Sequence, residues 1–152
     1  MRLGQGTRFL VDISKFEYTT GKQAQDLDGY RIFVYSPEMI VAEKLRAICQ
    51  QMPEYGPVVK RNRAGSGRAR DFVDIHTLVT GRMIDMGTEQ NRSLLTHMFE
   101  AKKVPLALLG LIGSYREFHR KDFSAVKDTV KAGVTLEEFD SISNSWWTWW
   151  SD

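Results

Sequence analysis

The sequence has a single cysteine, no long apolar segment and a net charge of only +2. Cys49 cannot form an internal disulfide and has no cysteine or histidine partner at zinc-ligand spacing, so we expect a cytoplasmic protein. The longest apolar stretch, residues 104–113, is too short to cross a bilayer, and the first six residues lack the apolar region of a signal peptide. We therefore expect neither a disulfide-stapled domain nor a membrane partner.

The charged residues are unevenly distributed although they nearly cancel. Five cations lie within residues 60–70, and acidic residues predominate near the C-terminus, so the electrostatic field is local. A chain of 152 residues can bury a core without covalent staples, and we expect a single domain over residues 1–152. Its three histidines show no metal-ligand spacing and are interpreted as structural: His76, His97 and His119.

Two short segments near the N-terminus are typical of β-strands. Residues 6–13 and 30–35 are bounded by glycines and rich in β-branched and aromatic side chains. Residues 19–22 and 26–29, between them, have the composition of turns. We predict that these two segments are antiparallel strands joined by a long connecting segment.

The next two segments are predicted to be helices. Ser36 and Pro37 suit the N-cap and the first position of a helix that ends near Met52. A second helix is predicted over residues 68–79, closed by Gly81.

The remaining pattern is helical throughout. Helices are predicted over residues 89–102, 105–118, 124–131 and 135–150, and the last begins with a capping box between Thr135 and Glu138. The sequence therefore predicts an α+β fold with a small N-terminal sheet and a helical C-terminal half.

Charged residues interrupt the apolar faces of the first two predicted helices. Lys44 lies on the stripe with Val41 and Ile48, where its stem could pack on the core while its ammonium reaches solvent, or where it could bind a phosphate in a cleft. Asp71 and Asp74 share one face, which fits either a salt-bridged structural helix or a site. A carboxylate on a partly apolar face needs a partner, and Lys44 is available.

Two further segments could bind ligands. Asp12 interrupts the first predicted strand, where it could be a rigid Mg²⁺ ligand or a solvent-facing residue. The basic loop of residues 60–70 precedes a helix N-terminus, so it could bind a phosphate or RNA, or simply be mobile and solvated. Arg70 within it can reach Asp74 at the i, i+4 spacing.

The C-terminal tail is rich in tryptophan. Such side chains bury a large area when they close a helical core, and they can also form a patch for a protein partner. Core packing is the preferred interpretation for Trp146, Trp147, Trp149 and Trp150.

Two motifs together resemble a known family. The sequence VYSPEMIVAEKLRAI, residues 34–48, followed by RARDFVDIHTL, residues 68–78, is similar to the AbiEii-type nucleotidyltransferase toxins of abortive-infection and type IV toxin–antitoxin systems. The resemblance covers roughly residues 9–79. It implies a nucleotidyltransferase-like core over residues 1–80 and a helical portion over residues 81–152.

The resemblance also implies roles for individual residues. Asp12 would complete a Mg²⁺ site, Lys44 would contact nucleotide phosphates, and Asp71 and Asp74 would line the pocket. These four residues form the implied catalytic set. Arginines would assist in nucleotide or phosphate binding, with Arg70 as the motif arginine: Arg63, Arg68 and Arg70.

One family feature is not found in this sequence. The family has a Gly-Ser turn followed by an Asp-x-Asp unit that supplies the main metal carboxylates, whereas here Asp26-Leu27-Asp28 follows Asp12 in a turn-like context. We therefore expect nucleotide or phosphate binding with incomplete or lost catalysis, and a sheet edge that a protein partner or a second copy could cover. The alternatives are a non-catalytic regulator or inhibitor in phage–host defence, or an RNA-binding module using residues 60–70.

Overall fold

A computed structural model of the protein describes residues 10–11, 13–131 and 135–145. Its described elements are one β-hairpin, six α-helices and several 3₁₀ turns, so the predicted α+β class is confirmed. None of the helices in these ranges is long and apolar enough to cross a membrane.

The sheet is a hairpin of β1 (Gln23–Leu27) and β2 (Tyr30–Val34), paired antiparallel with Leu27 opposite Tyr30. Asp28 and Gly29 form the two-residue turn with φ values of 51° and 82°, which is the left-handed geometry that an Asp-Gly pair favours. The antiparallel prediction for β2 is confirmed, but the predicted partner is wrong. Leu10, Val11 and Ile13 belong to no strand, and residues 23–27 are the strand that pairs with β2.

Helix α1 (Pro37–Cys49) follows directly, and Ser36 caps it by accepting a hydrogen bond from the Met39 amide at 3.3 Å. It ends at Cys49, slightly before the predicted boundary. Helix α2 (Ala69–Arg82) packs against α1 and continues through Gly81. The predicted stop at Gly81 is wrong, since the left-handed residue that ends α2 is Met83, with φ 51°.

The C-terminal half contains shorter helices than predicted. Helix α3 (Glu89–Ala101) matches its prediction and is capped by Thr88. Residues 106–115 form a 3₁₀ helix instead of an α-helix, before α4 (Arg116–Arg120) and α5 (Phe123–Lys127). Helix α6 (Phe139–Asn144) follows.

The predicted capping box is wrong. Glu138 is the N-cap of α6, and Thr135 lies before the helix in irregular structure. Since the first helical residue, Phe139, is fully buried, α6 begins where its apolar face reaches the core.

Buried side chains from five of the helices, α1, α2, α3, α5 and α6, belong to one hydrophobic cluster. The fully buried aromatic residues of this cluster link α2, α3 and α6: Phe72, Phe99 and Phe139. The contacts of α1 with α2 and α3 place the α1 stripe at the centre of the helical layer. This packing fixes the face of α1 that carries Lys44.

Candidate functional site

Lys44 of α1 and the two aspartates of α2 form one charged cluster. The Lys44 Nζ atom lies 3.1 Å from Asp71 Oδ1 and 2.7 Å from Asp74 Oδ2, so it donates a hydrogen bond to each carboxylate. The Asp71 side chain is 12% exposed and the Asp74 side chain is 36% exposed. Asp71 and Asp74 lie 27 and 30 positions after Lys44 in the sequence, and all three side chains meet at the α1–α2 interface.

The ammonium of Lys44 is held in its charged form. Burial alone would lower the pKa of Lys44, but the hydrogen bond to Asp74 and the charge of Asp71 outweigh burial, and the pKa is raised. An ammonium has three N–H donors, of which the two aspartates occupy two. One donor is left for a ligand oxygen at the partly exposed end of the cluster.

Arg68 extends this cluster at the N-terminus of α2. Its Nη1 atom lies 3.5 Å from Asp71 Oδ2, an ion pair without hydrogen-bond geometry, and that buried oxygen has no other partner among the described residues. The Arg68 side chain is 42% exposed and therefore remains accessible to an anion. The cluster of Lys44, Arg68, Asp71 and Asp74 contains two cations and two carboxylates.

The other two predicted phosphate-binding arginines lie elsewhere. Arg70 donates a hydrogen bond to Thr129 Oγ1 at 2.8 Å and makes no ion pair with Asp74 in the described structure, so that predicted pair is wrong. Arg63 is exposed and makes no hydrogen bond or ion pair with the described residues. Of the arginines predicted to bind phosphate, Arg68 alone among the described contacts joins the Lys44 cluster.

The predicted anion site at the N-terminus of α2 holds a carboxylate of the protein itself. Asp122 Oδ1 accepts a hydrogen bond from the Ala69 amide at 3.3 Å. A Cβ at Gly67 would lie 2.5 Å from the same oxygen, so only glycine permits this approach. Asp122 therefore satisfies one of the free amides at this helix end, and no local pattern predicts a partner 53 residues away.

The basic loop is also anchored to the end of α1. Arg61 donates hydrogen bonds to the carbonyl oxygens of residues 50, 51 and 52 at 2.6, 3.3 and 3.1 Å. The Ser66 amide donates to Gln51 Oε1 at 3.0 Å, and a Cβ at Gly65 would lie 2.1 Å from the Gln51 carbonyl oxygen. Three contacts thus set the path of the loop between α1 and α2.

His119 is a buried side chain close to this site. The neighbouring residues in the sequence did not indicate that its ring would be buried without a hydrogen-bond partner. It is fully buried beside Phe72 and Phe118, at ring-centroid distances of 5.3 and 5.1 Å, and neither ring nitrogen has a partner among the described residues. Desolvation lowers its pKa from 6.5 to about 4; the nearby Asp122 opposes this and Arg68 adds to it. The ring is therefore neutral at physiological pH.

The metal prediction is not tested by these contacts. Asp12 lies outside the described residues, as do the four tryptophans of the tail: Trp146, Trp147, Trp149 and Trp150. The described ranges contain no group of three or more metal-ligating side chains. Asp71 and Asp74 already share the Lys44 ammonium, so this pair does not fit Mg²⁺ as it stands, and magnesium remains a prediction.

The hairpin carries apolar side chains on its surface. Leu27, Tyr30 and Phe33 are 56%, 75% and 59% exposed, and within the described ranges neither strand has a second neighbour. The predicted sheet edge is thus open in the described part of the chain.

Comparison with known proteins gives a family. The family model described as "Nucleotidyl transferase AbiEii toxin, Type IV TA system" matches residues 4–145. No curated protein and no solved structure matches the sequence significantly. The matched region includes both helices of the Lys44 cluster and nearly the whole chain, and the protein therefore belongs to the AbiEii nucleotidyl transferase toxin family.

Proposed function

We propose that this protein binds a nucleotide through its phosphates at the Lys44 cluster. The observation that carries the proposal is the position of the Lys44 ammonium, which is charged, 20% exposed and fixed by two carboxylates with one donor left over. Arg68 provides a second cation beside it. Membership in a nucleotidyl transferase family supports a nucleotide as the source of the phosphates.

The two aspartates have different parts in this proposal. Asp71 is the more buried carboxylate and contacts both cations, so it positions Lys44 and Arg68. Asp74 lies at the more exposed end, where a phosphate would compete with it for the ammonium. Binding therefore requires Lys44 to exchange or share one carboxylate, and we expect modest affinity.

Titration calorimetry with each of the four NTPs tests the proposal. Lys44→Ala removes a charge-assisted hydrogen bond, which is worth about 1.5–3 kcal/mol, and should weaken binding by about 10- to 150-fold. Lys131→Ala is the matched control, since Lys131 is exposed and makes no hydrogen bond or ion pair with this cluster in the described structure. Equal affinities of the wild type and a folded Lys44→Ala variant would refute the proposal.

We also propose that nucleotide transfer is incomplete or lost in this chain. Both aspartates of the cluster accept a hydrogen bond from Lys44, so neither is a free metal ligand. Incubation with radiolabelled NTP, Mg²⁺ and total RNA should give no labelled product above background. Labelled RNA or labelled protein that disappears in the Lys44→Ala variant would overturn this part of the proposal.

A second candidate function is protein binding through the hairpin. The exposed Leu27, Tyr30 and Phe33 and the open strand edges favour pairing with a strand of a partner or of a second copy. Arg31→Pro in β2 should abolish such pairing, because proline removes a backbone donor. Light scattering and pull-down of the wild type and this variant check it, and identical behaviour would count against the candidate.

The tryptophan tail can be tested as a partner site by truncation. Ile142 and Ser143 of α6 are buried, so a deletion should begin at residue 146 to leave this helix intact. Loss of a captured partner on deletion of residues 146–152 would support the tail as its contact. Retention of the partner would exclude the tail.

A further inference from the structure

A groove with a volume of about 320 Å³ lies between the basic loop and the end of the 3₁₀ helix. Arg61, Asn62 and Arg63 line one side, and the rings of Tyr115 and Phe118 line the other. None of the described residues that line the groove is acidic. These residues are separate from the Lys44 cluster described above.

The groove combines cations with aromatic faces. Arg63 is exposed and has no partner among the described residues, and the Lys121 ammonium lies 5.8 Å from the Phe118 ring centroid. The Glu54 carboxylate accepts a hydrogen bond from the Tyr115 hydroxyl at 2.8 Å. Positive charge beside two rings suits a strand whose phosphates and unpaired bases are both accessible.

The loop side of the groove is fixed before any ligand binds. Arg61 is held by three carbonyl oxygens at the end of α1, and the Gly65 backbone approaches Gln51 too closely for any side chain. Arg63 lies between these two anchors. Binding of a ligand therefore does not require the conformational entropy of the whole loop to be lost.

We propose that this groove binds single-stranded nucleic acid, with bases stacked on Tyr115 and Phe118 and the backbone phosphate next to Arg63. The groove volume is near the lower end of the range for ligand pockets, about 300–1,000 Å³. The groove therefore accommodates part of a nucleic-acid strand, and the rest of the strand would lie along the basic loop. The sequence placed cations in this loop, but only the fold brings rings from residues 115 and 118 against it.

Fluorescence anisotropy with labelled twelve-nucleotide oligo(U) and oligo(dT) tests the proposal over a range of KCl concentrations. Phe118→Leu and Tyr115→Leu should each weaken binding by about 5- to 150-fold, since they remove a stacking surface. Tyr115→Phe keeps the ring and loses the hydrogen bond to Glu54, so it should retain most of the binding that Tyr115→Leu loses.

The charge is tested separately. Arg63→Ala should reduce the slope of log affinity against log salt by about 0.7, the value for one phosphate contact of a single strand. Arg82→Ala, an exposed arginine at the other end of α2, is the matched control and should leave the slope unchanged.

Two results would overturn the proposal. One is wild-type affinity in folded Phe118→Leu and Tyr115→Leu variants, with folding checked by circular dichroism. The other is equally tight binding of a duplex of the same length, because paired bases cannot stack on the rings. A preference between oligo(U) and oligo(dT) would identify the natural strand, and either preference together with the ring effects supports the groove.

Discussion

Lowering the pH should destabilise the protein through His119. This side chain is fully buried, and neither ring nitrogen has a hydrogen-bond partner among the described residues. Desolvation lowers its pKa from 6.5 to about 4 in the folded protein, against the opposing charge of Asp122. Each unit of difference between the two pKa values corresponds to about 1.4 kcal/mol, so protonation of His119 destabilises the folded state by about 3 kcal/mol.

The direction of the effect follows from proton binding. Between pH 6.5 and about 4 the unfolded chain binds a proton at this histidine and the folded protein does not, so the free energy of unfolding falls as the pH falls. Above pH 6.5 both states are neutral and the penalty vanishes. The loss reaches about 2.5 kcal/mol at pH 4.5.

Urea unfolding of the wild type and a His119→Leu variant between pH 7.5 and 4.5 measures this loss. Leucine has no group to protonate, and the site offers no hydrogen bond that it would forfeit, so the variant should fold and show a shallower pH dependence. NMR titration gives a second measurement, in which the His119 ring should titrate near pH 4. Parallel stability curves, or a ring that titrates near 6.5, would refute the reasoning.

Three further predictions concern the site, its loop and α2. Asp71→Asn should lower the free energy of unfolding by about 2 kcal/mol, and the more exposed Asp74→Asn by less than about 1 kcal/mol; equal losses in urea unfolding would contradict this order. Gly65→Ala should destabilise the protein by more than about 1 kcal/mol because its Cβ would meet a carbonyl oxygen at 2.1 Å, whereas Gly81→Ala, with open space around it, should be neutral or stabilising in thermal unfolding. The raised pKa of Lys44 means that its pairing stabilises the fold fully below pH 10.5 and is lost as the pH rises through the higher folded value, so a Lys44→Met variant should show a smaller loss of stability in strongly alkaline buffer.

The Lys44 cluster shows how far sequence reasoning reached. A lysine on the apolar face of α1 and two aspartates on one face of α2 are visible as helical periodicity, and the predicted pairing of Lys44 with a carboxylate is confirmed. Arg70 shows the limit of the same reasoning. Its spacing to Asp74 allowed an ion pair, but α2 packs so that Arg70 faces Thr129, and spacing along one helix cannot reveal a competing partner on another segment.

The hairpin marks a different limit. The Asp28-Gly29 pair was recognised as turn chemistry, yet the strand before it was missed, because Gln23–Leu27 contains two glutamines and an aspartate and has no alternating apolar face. Pairing with β2 decides its conformation in spite of that composition. The predicted strand at residues 6–13 has the better local pattern, but its described residues are exposed and unpaired with β2.

The sequence by itself determined the helical periodicity, the N-cap at Ser36, the α+β class and the charged residues that face each other across α1 and α2, because these depend on local spacing and on motifs. Only the tertiary structure decided that Asp122 closes the N-terminus of α2, that His119 is buried without partners and that two rings meet the basic loop. Each of these depends on contacts between segments distant in sequence, whose partners are selected by packing of the whole core.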